Sequence, residues 1–182
     1  EIAILADTYG MIVFCPDGGK YSWYFDSPID QKSQYETFVA KDCVEYVDKN
    51  YRSKVHRSFR AICGLSMGGH GAMFLAICHK DVFSITVSIS GCIDIRLFPE
   101  EWEIKNRIGD IKTHRKNWEK YTVINLTKEL KDGELAISLD CGTKDFFLGI
   151  NRSLHKQLLQ NGVTHEYVEH PGAHSWKYWG KA

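Results

Sequence analysis

The stretch Arg60-Ala61-Ile62-Cys63-Gly64-Leu65-Ser66-Met67-Gly68-Gly69 decides how this chain is read. An apolar run with strand character ends at Cys63. Residues 67–79 are rich in Ala and Gly and apolar nearly all round, the pattern of a buried helix. Between the two stands a G-x-S-x-G turn. A serine at such a strand-to-helix turn is held in a strained conformation with its hydroxyl exposed, and its neighbours two before and two after must be small for strand and helix to cross closely. Gly64 and Gly68 supply that clearance, which makes Ser66 a candidate nucleophile. The bland alternative is a glycine-rich turn with a serine capping the helix.

Working outward, strand-length apolar runs recur at residues 11–16, 59–63, 83–89, 135–140 and 165–169. Helical stripes lie between them at 35–51, 67–79 and 151–160, the last followed by Asn161-Gly162 as a stop signal. Alternating strands and helices imply an α/β fold, a mostly parallel sheet with helices on both faces. Residues 94–131 break the alternation, carrying Trp102, Trp118, Tyr121 and many charges. A single domain over 1–182 with a helical insertion there, poised as a lid over the sheet edge, is the expectation.

A serine hydroxyl attacks well only when a base takes its proton and a third group orients that base. His174, in Pro171-Gly172-Ala173-His174-Ser175-Trp176 just after the last strand, is the favoured base, with His170 as the alternative. The acid should follow the preceding strand. Asp145 in Cys141-Gly142-Thr143-Lys144-Asp145 is preferred over Asp140, which is still in the strand frame. His70, one turn along the helix from Ser66, reads as helix packing. Met67, the residue after the serine, would offer its backbone N–H to an oxyanion. Trp23, Tyr24, Phe146 and Trp176 are candidates for the walls of a substrate pocket.

The composition excludes several other classes. The 182 residues are 43% hydrophobic and 25% charged, and 23 Lys+Arg balance 23 Asp+Glu. A nucleic-acid binder would carry a basic excess, and no apolar run approaches the ~20 residues that span a bilayer. The six cysteines have neither C-x-x-C nor zinc-like spacing, so neither a metal nor another cofactor is called for. Free thiols buried as small hydrophobes are expected.

The elbow, Cys141-Gly142-Thr143-Lys144-Asp145-Phe146, the His174 loop and Cys15-Pro16-Asp17-Gly18-Gly19 resemble the esterase family of α/β-hydrolases. That family includes tributyrin esterases, feruloyl and acetylxylan esterases, S-formylglutathione hydrolases and mycolyltransferases. The resemblance spans nearly the whole chain and is nearest the tributyrin-esterase branch. It implies a Ser66–Asp145–His174 triad, Met67 as an oxyanion donor, and a small-molecule or carbohydrate ester as substrate. Acyl transfer on the same fold, or a non-catalytic binding domain, are the alternatives. Two departures are expected from the family pattern. The strand and loop carrying the second oxyanion donor would lie before Glu1, leaving a gap in the sheet between the 11–16 and 59–63 strands or an abnormal pairing of those two, and the usual C-terminal helix would be cut at Ala182.

Overall fold

In the computed structural model, which describes residues 2–182, four strands form one sheet in the order β1-β2-β3-β4. They are β1 (Ala61–Leu65), β2 (Ile85–Ile89), β3 (Ala136–Gly142) and β4 (Glu166–His170). All three ladders are parallel. Parallel neighbours need crossover connections, and helices supply them. In chain order the helices are α1 (Ile2–Tyr9), α2 (Tyr35–Thr37), α3 (Cys43–Asn50), α4 (Met67–Cys78), α5 (Lys105–Ile108), α6 (Arg115–Tyr121), α7 (Val123–Leu126), α8 (Leu148–Gln160) and α9 (Trp176–Trp179). A π-helical turn, Phe38–Asp42, carries α2 into α3 without a break. Among the described residues no helix is long and apolar enough to cross a membrane.

Strand alternation decides which side chains meet the helices. Thr86 and Ser88 of β2 and Ile137, Leu139 and Cys141 of β3 are buried. They lie on the face over which α4 packs against β1 and β2, and α8 against β3. The residues between them point the other way, and Cys63, Ile85, Ala136, Val168 and His170 are exposed. Burial is concentrated on the face that α4 and α8 cover. Helix α1 buries none of its residues.

The segment at 11–16 differs from its expected strand. It joins no strand ladder, and β1 forms the outer edge of the sheet. Strand propensity becomes a strand only where a neighbour takes up the backbone N–H and C=O groups. Ile12, Val13 and Phe14 stay exposed, with the Phe14 ring 6.3 Å from that of Tyr46. The expectation of buried thiols holds for Cys43, Cys92 and Cys141. Cys15, Cys63 and Cys78 are exposed, and all six are free.

Between β2 and β3 the charged stretch folds into α5, α6 and α7, flanked by 3-10 turns at Ile95–Leu97 and Thr127–Glu129. Most of its apolar residues point inward, Leu97 being exposed. Ile104, Ile108, Trp118, Tyr121 and Val123 join the core with Phe25 and Phe74. The buried Trp118 indole donates to the carbonyl of Gly109 at 2.8 Å, and Tyr121 Oη donates to that of Asp26 at 3.0 Å. Both aromatics therefore satisfy their polar ends while burying their rings.

His70 sits in this core, fully buried, with its ring against Trp23, Phe25 and Phe74. Nε2 donates to the Tyr121 carbonyl at 3.0 Å, and Nδ1 has no partner. Burial pulls its pKa from 6.5 down to about 4, against weaker opposing effects of the Tyr121 bond and Asp94. A histidine with a depressed folded-state pKa contributes stability that is complete above the unfolded value. That contribution is lost as pH falls from 6.5 towards 4, because the unfolded chain then binds the extra proton. The loss is about 3 kcal/mol. Urea unfolding at pH 7.5 and 4.5 checks this. The difference in stability between the wild type and His70→Phe should shrink by about that amount at the lower pH. A pH-independent difference would contradict it.

Candidate active site

Ser66 stands between β1 and α4 at φ 54, ψ −117, a conformation that costs a non-glycine residue energy and persists only when its surroundings fix it. Two contacts with the end of β2 and the turn after it help to do so. Ser66 N–H donates to the carbonyl of Ile89 at 2.9 Å, and Cys92 N–H donates to that of Ser66 at 3.4 Å. The glycine at 64 is required, since a Cβ there would lie 2.1 Å from the carbonyl oxygen of Gly68. Gly68 itself has room. A Cβ at 68 meets nothing nearer than the Tyr24 hydroxyl at 3.8 Å, so the tight crossing expected of both glycines is imposed by one.

The loops after β3 and β4 are stitched together, and this brings Asp145 to His174. Thr143 N–H donates to the His170 carbonyl at 2.8 Å and Lys144 N–H to that of Gly172 at 2.7 Å. The approach is so close that a Cβ on Gly142 would meet the Gly172 oxygen at 2.5 Å. His174 then lies between Ser66 and Asp145. Its Nε2 is 2.8 Å from Ser66 Oγ, and its Nδ1 is 2.9 Å from Asp145 Oδ2. The other carboxylate oxygen, Oδ1, accepts the N–H of Phe147 at 2.8 Å.

Of the alternatives, Asp140 takes a hydrogen bond from the Tyr178 hydroxyl, and His170 is exposed on the β4 edge. Neither joins the Ser66 contact. The Asp145 side chain is inaccessible to solvent and that of His174 is 13% exposed. Burial alone would raise the Asp145 pKa. The His174 bond, the Phe147 N–H, the Ser90 hydroxyl and the charge on His174 outweigh it and hold the carboxyl below its usual range. Asp145 is therefore anionic at neutral pH, an acceptor that favours the His174 tautomer with its proton on Nδ1 and an unprotonated Nε2 facing Ser66 Oγ.

Ser66, Met67 and His174 line a cleft of about 410 Å³, together with Gly19, Lys20, Tyr21, Trp23, Trp102, Phe146 and Phe147. Met67 opens α4, and a backbone N–H in the first turn has no intrahelical acceptor. The positive end of the helix dipole adds to its pull on negative charge. Trp23 and Phe146 line the cleft as expected, but Tyr24 and Trp176 do not. The Tyr24 ring packs where a Cβ on Gly71 would be, and Trp176 is 74% exposed, its ring 5.4 Å from that of Trp179.

The sequence reading missed Tyr21, Trp102 and Phe147 as cleft residues. Three turn residues with positive φ, Tyr21 (58), Trp23 (56) and Tyr24 (60), set which aromatic faces inward. Trp102 arrives from the insertion, where its carbonyl accepts the Trp23 indole N–H at 3.2 Å. Phe147 had a local signal, its adjacency to Phe146, whose ring is 4.4 Å away.

A parallel sheet with a strained serine turn leading into its central helix, and with acid and histidine delivered by loops at the same strand ends, defines the α/β-hydrolase fold. Residues 6–182 match the family described as "Putative esterase", and the chain belongs to that family. It is 26% identical over 196 residues to an acetyl esterase of Caldicellulosiruptor saccharolyticus, covering all of this chain and 72% of that protein. Over 92 residues it is 38% identical to the diacylglycerol acyltransferase/mycolyltransferase Ag85A of Mycobacterium leprae, covering 47% of this chain and 27% of the other. A solved ferulic acid esterase superposes with a TM-score of 0.68 at 29% identity, covering 86% of this chain and 58% of that one. The chain thus spans between about a quarter and three quarters of the length of these proteins.

Proposed function

We propose that the protein is a serine carboxylesterase acting through an acyl-enzyme. One observation carries the assignment: His174 is within hydrogen-bond distance of both Ser66 Oγ (2.8 Å) and Asp145 Oδ2 (2.9 Å). Ser66 Oγ attacks the ester carbonyl carbon as His174 Nε2 takes its proton, and the Met67 N–H stabilises the oxyanion. The tetrahedral adduct collapses, the alcohol leaves with the proton from His174, and Ser66 carries the acyl group. Water activated by the same imidazole then releases the acid and restores the serine.

The aromatic lining of the cleft suits a short acyl chain or an acetyl or feruloyl group on carbohydrate. Similarity to a mycolyltransferase favours a second outcome, in which an alcohol rather than water takes the acyl group. p-Nitrophenyl acetate and butyrate test both. Release of nitrophenol with free acid as the product is expected. If added methanol captures nearly all the acyl group as methyl ester at low concentration, transfer is the activity. No nitrophenol above the uncatalysed rate from folded protein would overturn the assignment.

A further inference from the structure

Three aromatic rings stand around the His174 imidazole. Phe146 and Phe147, from the Asp145 loop, lie 4.4 and 5.1 Å away between ring centroids. Trp179, from α9, lies 4.7 Å away with its plane at 87° to the imidazole. Phe146 and Phe147 also line the cleft, whereas Trp179 does not. The Trp179 indole N–H is buried and has no acceptor among the described residues, which costs stability. Neither substrate contact nor a hydrogen bond therefore accounts for the indole, and its contact with the base remains.

The turn that carries Trp179 is anchored to the frame of the site. Tyr178, one residue before, is buried, and its hydroxyl donates to Asp140 of β3. Its ring fills the space that a Cβ on Gly172 would need. The Gly172 carbonyl is in turn held by Lys144 N–H, from the Asp145 loop, at 2.7 Å. The N–H groups of Tyr178 and Trp179 both donate to the carbonyl of Ser175, at 2.9 and 3.0 Å, so α9 closes back on the residue next to His174. Asp140, the alternative acid of the sequence, is thus the foothold of α9. The imidazole needs such support. Its two nitrogens meet Asp145 and Ser66, but a histidine side chain turns about two bonds, and hydrogen bonds tolerate a range of angles.

We propose that Trp179 is a positioning residue for the base. Its indole ring is a wall, pinned through Tyr178 to β3, that keeps the His174 imidazole within reach of Ser66 Oγ and Asp145 Oδ2 at once. The inference rests on the proposed roles of Ser66, Asp145 and His174, and the test separates the two.

kcat and KM for p-nitrophenyl butyrate are measured in the wild type, Ser66→Ala, Trp179→Ala, Trp179→Leu and Trp179→Phe, with the Tm of each. Alanine removes the wall. Leucine keeps apolar bulk without the flat ring, and carries the test if the alanine variant does not fold. Both should lower kcat by about ten- to a hundredfold, since a misplacement of ~1 Å costs about 10²-fold. KM should stay within about twofold, because Trp179 lies outside the cleft and His174 serves acylation and deacylation alike. Trp179→Phe keeps a ring and loses only an N–H without an acceptor, so it should return kcat to near the wild-type value with no fall in Tm. A merely structural role would lower Tm and leave the kcat of folded protein where it is. Wild-type kcat in the alanine or leucine variant would overturn the inference. So would a loss that appears in KM instead of kcat, or a phenylalanine variant as slow as alanine. Full turnover in Ser66→Ala refutes the relay, and this inference with it. An inactive Ser66→Ala beside unaffected Trp179 variants refutes the inference alone.

Discussion

Ser66→Ala is expected to lower ester turnover by about 10⁴- to 10⁶-fold, the range found when a relay nucleophile is removed. The far-UV spectrum should not change. Ser66 is held through its backbone, by the contacts to Ile89 and Cys92, and its Oγ contacts only His174 Nε2. Alanine at φ 54 carries the same backbone cost as serine, so the elbow should survive. The residual rate would come from binding and from the oxyanion contact alone. Nitrophenyl ester hydrolysis by the purified variant checks this, and turnover within tenfold of the wild type would remove Ser66 from the mechanism.

Asp145→Asn should cost about 10⁴-fold in kcat with the fold intact. The substitution keeps the size of the side chain and the acceptor that Phe147 N–H uses. It replaces the anion facing Nδ1 with a neutral group that can present N–H instead of a lone pair. His174 then settles with its proton on Nε2, where it faces Ser66 Oγ and cannot accept the serine proton. The side chain is inaccessible to solvent, so water cannot easily replace the lost acceptor. Loss of kcat with KM nearly unchanged is the expected pattern. A variant with wild-type kcat would place the acid elsewhere, and Asp140, now bound to the Tyr178 hydroxyl, would have to be reconsidered.

What the sequence disclosed was local or followed chain order. The Ser66 turn was legible because strand, glycine, serine and helix are contiguous, and the order serine, acid, histidine pointed to Asp145 and His174 from loops far apart in sequence. The choice between Asp140 and Asp145 depends on strand phase. Asp140 is in register with Ile89 on β2 within the ladder, while Asp145 lies beyond it. What stayed hidden depends on partners. Residues 11–16 have the composition of a strand but no neighbour to bond. Cys63 is apolar enough for a core, yet alternation turns it to the open face of β1. Trp23 faces the cleft and Tyr24 turns away because of consecutive positive φ values that no propensity encodes. Trp102 reaches the cleft from the insertion by a contact 79 residues distant in sequence.

The central claim is that Ser66 is the activated nucleophile. Incubation with a fluorophosphonate followed by intact mass and peptide mapping tests it directly. The predicted result is one adduct per chain, on the peptide containing Ser66, absent from Ser66→Ala and strongly slowed in Asp145→Asn. An unlabelled folded protein, or an adduct on any other residue, would contradict it.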